Sequence, residues 1–142
     1  MKVFVLIILL VVDLYNIKLA RRNTFSVKKS PYIFAAGLIL ALVVFYLCLN
    51  YSKDLLGFLV GILAVGLFFT FTLGQGIRED GFLVFLGTTP ILKFIPLEEV
   101  KDLSILYVDD DSFKLRIKTK VSTYEQFYDI DSLSFVEEYL DL

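Results

Sequence analysis

Two charge-free apolar runs, residues 32–49 and 55–73, stand back to back with only Asn50-Tyr51-Ser52-Lys53-Asp54 between them. Each is about as long as a helix needs to cross hydrocarbon, roughly 20 residues at about 1.5 Å rise apiece. A charge at a bilayer centre costs on the order of 2.5–3.5 kcal/mol, so runs this long without one carry strong information. The polar pentapeptide leaves room only for a tight reversal. The pattern predicts a helical hairpin in a membrane.

A third apolar run, residues 3–17, is interrupted by Asp13 and Asn16. It lacks the small-x-small site of a cleaved signal peptide, because Lys18 stands two places before Ala20. It reads as an uncleaved anchor and a marginal span. An ionisable residue at membrane depth is a candidate for function. The alternative, which we favour from sequence, keeps Asp13 hydrated near the headgroups.

Charge divides the chain. Residues 1–75 carry seven Lys/Arg and two Asp, a charge of +5, whereas residues 76–142 carry seven Lys/Arg and fourteen Asp/Glu, a charge of −7. Two halves so different have different surroundings. Lys18, Arg21, Arg22, Lys28 and Lys29 crowd the loop between the first two runs. Five positive charges there should hold residues 18–30 in the cytoplasm, and the hairpin then returns residues 75–142 to the same side. The expected organisation is a transmembrane region over 1–74, with helices at about 3–17, 32–49 and 55–73, and a cytoplasmic domain over 75–142.

Small residues punctuate the hairpin. Gly57 and Gly61 form a GxxxG, and Gly37 and Ala41 a looser pair; such residues let helix backbones approach closely. In an antiparallel hairpin Gly57 and Gly61 fall opposite roughly Leu47 and Val43. They either receive those side chains or face the first helix or a second copy. Cys48 is the only cysteine, so no internal disulfide forms. It reads as a packed thiol.

After Gly74-Gln75-Gly76 the pattern changes to strands. Residues 82–86, 91–95, 103–108 and 123–130 are strand-like, and Phe113, Leu115 and Ile117 alternate with Lys114, Arg116 and Lys118. That period of two is the clearest strand signal in the chain and places the first set inward. Ser134 with Glu137 resembles a capping box, and Leu133, Val136 and Leu140 make the apolar stripe of a final helix. The fold class is an α+β membrane protein: two to three transmembrane helices, then a small antiparallel β domain closed by a carboxy-terminal helix.

The chemistry-bearing residues are sparse. The sequence has no His, which excludes imidazole metal sites, His-based triads and His proton shuttles. No phosphate loop is present, since Gly74-Gln75-Gly76 lacks the later glycine and the Lys-Ser/Thr pair. Glu98-Glu99 and Glu137-Glu138 read as solvated surface. Asp109-Asp110-Asp111 reads as a turn, without the spaced ligands of a calcium loop. Lys114, Arg116 and Lys118 are an exposed basic stripe that touches an anionic surface or pairs with Glu125 and Asp129 on the next strand. With the domain at −7 we favour pairing, which argues against nucleic acid and against specific lipid binding. No catalytic residue, cofactor or metal is expected, and the polar-poor spans argue against transport.

The order of hairpin, compact sheet and final helix resembles the bacterial PH-like membrane proteins, and small ones of Gram-positive bacteria in particular. The residues that carry this are Gly76-Ile77, Asp80-Gly81-Phe82 entering a strand, and Ile95-Pro96-Leu97-Glu98-Glu99-Val100 as a connector, with Phe94 as the nearby aromatic. The resemblance covers roughly residues 74–142 and implies a membrane-tethered module. Two departures stand out. So short a domain has room for fewer strands than a seven-stranded PH barrel. Arg78-Glu79-Asp80 also stands where phosphoinositide-binding PH domains carry a basic cluster.

These readings give a leading expectation of a non-catalytic, membrane-anchored PH-like interaction module. It would bind a protein partner, or a second copy as a homo-oligomer, at the inner membrane surface. The alternative is protection against a bacteriocin or envelope stress, which rests on size and layout alone.

Overall fold

A computed structural model describes residues 1–142. The chain order is α1 (Lys2–Ala20), β1 (Phe25–Ser26), α2 (Pro31–Tyr51), α3 (Leu55–Leu73), β2 (Gly76–Arg78), β3 (Gly81–Phe85), β4 (Leu92–Pro96), β5 (Val100–Asp109), β6 (Ser112–Thr119), β7 (Thr123–Asp129) and α4 (Leu133–Leu140). Short 3-10 turns at Leu97–Glu99 and Ile130–Ser132 join β4 to β5 and β7 to α4.

Three helices are long and apolar enough to cross a membrane: α1, α2 and α3. α1 is longer than the interrupted run suggests, because Asp13 and Asn16 find partners inside the fold and do not end it. Pro31 opens α2 behind Ser30, whose hydroxyl accepts from the Tyr32 N–H. Asp54 caps α3 by accepting from the Gly57 N–H and also takes the Lys2 ammonium at 2.8 Å. That hydrogen bond from Lys2 is the main reason the Asp54 carboxyl is held below its ordinary range. α3 is the shared partner of α1 and α2.

The strands form two antiparallel sheets, β1-β2-β3-β4 and β5-β6-β7. Ile77, Phe82, Val84 and Ile95 from the first meet Phe113, Leu115, Ile117 and Tyr128 from the second, and Val136 of α4 closes the core. Phe113, Leu115 and Ile117 are fully buried, while Arg116 and Lys118 are exposed and Lys114 is half-buried, as the alternation predicts.

Residues 75–142 contribute six strands, β2–β7, within the limit their length sets, and the seventh comes from outside that range. β1 lies in the basic loop between α1 and α2. Phe25 pairs with Ile77 and Ser26 with Gly76. The Val27 side chain enters the core, and the Lys28 N–H reaches the Phe127 carbonyl at 2.7 Å, bridging to the second sheet. The β domain therefore includes part of the loop assigned to the helical region. A second correction concerns α4. It begins at Leu133, so Ser134 lies inside the helix and makes no capping box; Ser132 instead donates to the Asp129 carbonyl.

Candidate functional site

The feature most open to another molecule is the outer edge of the second sheet. β5 is ten residues long and pairs only with β6. None of the backbone hydrogen bonds outside the regular ladders involves residues 101–108. Its outer edge thus presents unpaired N–H and C=O groups, the template on which an extended chain adds. Leu106 and Val108 are exposed, and Tyr107 is 70% exposed. Register shifts between Val100 and Asp102 and between Tyr107 and Asp109 bend the strand at both ends. They leave the stretch from Leu103 to Tyr107 regular.

Opposite that edge, β7 is tied to the rest of the fold. Lys28 bridges to its backbone, and the Lys28 ammonium lies 3.5 Å from Asp129. Inside, Tyr128 donates to the Gln126 carbonyl oxygen at 2.7 Å, and the Gln126 amide donates to the Leu83 carbonyl at 2.8 Å. This chain links the two sheets through the core. Burial pushes the Tyr128 phenol up, so it stays a donor.

The basic stripe is partly neutralised. Lys114 and Arg116 both reach Glu125 of β7, at 2.9 and 2.8 Å. Hydrogen bonds from Lys114 and then Arg116 hold the Glu125 carboxyl below its usual range. Lys118 has no acidic partner within 4.0 Å. Asp109 accepts from Ser112 and from the Asp111 N–H and closes the β5–β6 turn. Its carboxyl is lowered chiefly by the Ser112 bond.

The small helix residues serve packing within the chain. A Cβ on Gly61 would lie 2.8 Å from Val44 and 3.0 Å from the Cys48 sulfur, so α2 and α3 need a glycine there to approach. Gly37 faces the ring of Phe69, and Gly57 faces Ser52 and accepts from the Cys48 thiol at its carbonyl. Ala41 lines a lateral groove between α2 and α3 together with Gly61 and Phe58.

A buried polar cluster at the junction of helices and sheets has only one element visible in the sequence pattern. Asp13 and Asn16, one turn apart on α1, are 6% and 0% exposed. The Thr70 hydroxyl of α3 donates to Asp13 at 3.0 Å. The Asn16 amide donates to the Pro90 carbonyl at 2.8 Å, while its carbonyl accepts the Leu92 N–H at 3.1 Å. Asp13 is therefore buried against α3 and not hydrated as the sequence suggests, because the polar face of α1 turns inward. Nearby, Phe71 of α3 stacks on Phe85 of β3 at 4.5 Å, and the Phe85 N–H donates to Gln75. Asn16 and Gln126 carry structural weight that local sequence does not reveal; an amide one turn after an acid in an apolar helix was the only available signal.

No protein-family model, curated protein or solved structure matches the chain.

Proposed function

We propose that this chain is a membrane-anchored, non-catalytic interaction module that receives an extended segment of a protein partner along β5. The free ten-residue edge with Leu106, Tyr107 and Val108 exposed beside it is the observation that carries the reading. Strand addition draws affinity from main-chain hydrogen bonds and specificity from alternate side chains, and β5 offers both. The absence of histidine and the internal pairing of Glu125 and Asp109 support a role without catalysis.

The helices α1–α3 anchor the module in the cell membrane as a multi-pass protein, with the β domain in the cytoplasm. Two observations support this side. The loop between α1 and α2 carries Arg21, Arg22, Lys28 and Lys29. The same loop is knitted into the β domain by β1, so loop and domain share one side. A PH-like fold is supported by the four-plus-three antiparallel sheets followed by a final helix.

The test places a photo-crosslinking residue at Tyr107 in the full chain in native membranes, with a second at Phe135 of α4 as a control. The expected result is a discrete protein adduct from Tyr107 that disappears on Ile105→Pro, because the Ile105 N–H points to the open edge and proline removes that donor. An adduct of twice the chain mass would make the partner a second copy. Adducts to lipid alone, or equal yields from both positions, would overturn the docking site.

A further inference from the structure

We propose that Asn16 is a latch through which α1 sets the position of the β domain, and that displacement of α1 along α3 releases the domain. The proposal does not depend on what β5 binds. Among all side chains of α1, Asn16 alone hydrogen-bonds the β domain. α2 contributes no side-chain hydrogen bond to it. One amide thus holds the β3–β4 loop from both sides, as donor to Pro90 and acceptor from Leu92.

The chemistry suits a latch better than a simple packing contact. A fully buried amide is costly unless both of its halves are paired, and here both are. Displacing it leaves four polar groups unpaired at once: the two halves of the amide, the Pro90 carbonyl and the Leu92 N–H. The engaged state is therefore sharply defined, with little tolerance for intermediate positions. A shift of α1 by one helical turn, about 5.4 Å, carries the amide beyond hydrogen-bond reach. Thr70 sets the height of the latch. Its hydroxyl donates to Asp13, and the second Asn16 amide hydrogen points at the same oxygen across 3.5 Å. Asp13 and Asn16 thereby seat α1 on α3 at the level where the loop is caught. At the far end of α1, the Lys2–Asp54 pair is exposed and ties α1 to the start of α3. An event at that end has a direct route along α1 to the domain.

The test uses the full chain, with Cys48→Ala, in lipid nanodiscs. Spin labels at Lys53, in the turn between α2 and α3, and at Ser134, on α4, report the distance from helices to domain. Amide exchange in β6 reports whether the domain stays folded. The parent should give one narrow distance. Asn16→Ala should give a broad or two-component distribution with β6 as protected as before. Thr70→Val, which keeps both bonds to the loop but loosens the seat of α1 on α3, should broaden the distribution less than Asn16→Ala does. If Asn16→Ala does not accumulate, Asn16→Asp provides the same reading, because it keeps the acceptor for Leu92 and sets an oxygen against the Pro90 carbonyl. A distribution unchanged in the Asn16 variant would overturn the latch. So would broadening accompanied by loss of β6 protection, which would make Asn16 a folding residue of the domain.

Discussion

Leu115 and Glu125 show how differently two side chains on facing strands contribute. Leu115 is fully buried between the sheets. Leu115→Ala should cost roughly 2–5 kcal/mol through lost burial and the cavity left behind. Leu115→Asp should unfold the domain, since a buried unpaired carboxylate costs several kcal/mol or more. Limited proteolysis checks both, and Lys118→Asp on the exposed face should stay as resistant as the parent. Glu125 sits at the surface between Lys114 and Arg116, and its pKa is lowered in the folded chain. Its contribution is thus present above the ordinary glutamate range and lost as pH falls through the lower folded value. Thermal unfolding of the parent and of Glu125→Gln should differ modestly near neutral pH and converge in acid. A difference that grows on acidification would contradict the pairing. At this scale the sequence was informative. The alternation in 113–118 placed each side chain on its face, because the side-chain period of a strand is a local property. Asn16 was not legible in the same way, since its partners lie at Thr70, Pro90 and Leu92.

Elements were legible where they are long and hidden where they are short. α2, α3 and β6 announce themselves over many residues. β1 is two residues long, and its alternation of Phe25 and Val27 with Ser26 is too brief to stand out among Arg21, Arg22, Lys28 and Lys29. Its place is set by Gly76, where a Cβ would collide with the Phe25 carbonyl. Gly76→Val should therefore eject β1, exposing Phe25 and Val27. The expected sign is new cleavage after Arg22 or Lys28 by trypsin, together with faster amide exchange in β6. The same dependence predicts that purified residues 75–142 fold poorly. The isolated segment lacks Val27 in its core and leaves the outer edges of β2 and β7 without the partners that β1 and Lys28 supply. Its amide exchange should be much faster than that of the same residues in the full chain. Protection equal to the full chain would show that β1 is dispensable.

On the scale of the whole molecule, the proposed topology puts the turn at Lys53 on the side opposite Ser26 and Ser134. In a Cys48→Ala background, a thiol reagent that cannot cross membranes should label Lys53→Cys in intact cells. It should reach Ser26→Cys and Ser134→Cys only after the membrane is opened. The reverse pattern would invert the orientation, and equal labelling of all three would argue against three spans. Ser26 and Ser134 must in any case behave alike, because β1 binds the loop into the domain.

The helical hairpin, the basic loop and the inward face of β6 were determined by sequence alone, because each depends on hydropathy, charge or periodicity within one continuous stretch. The tertiary structure decided what those stretches do to one another. It drew β1 out of the loop to complete the first sheet, turned Gly61 toward Val44 and Cys48, and buried Asp13 and Asn16 at the junction of helices and sheets. Each of these contacts joins residues far apart in the chain. A polar group in an apolar helix is costly until its partner arrives, and only the folded chain brings that partner within hydrogen-bond distance.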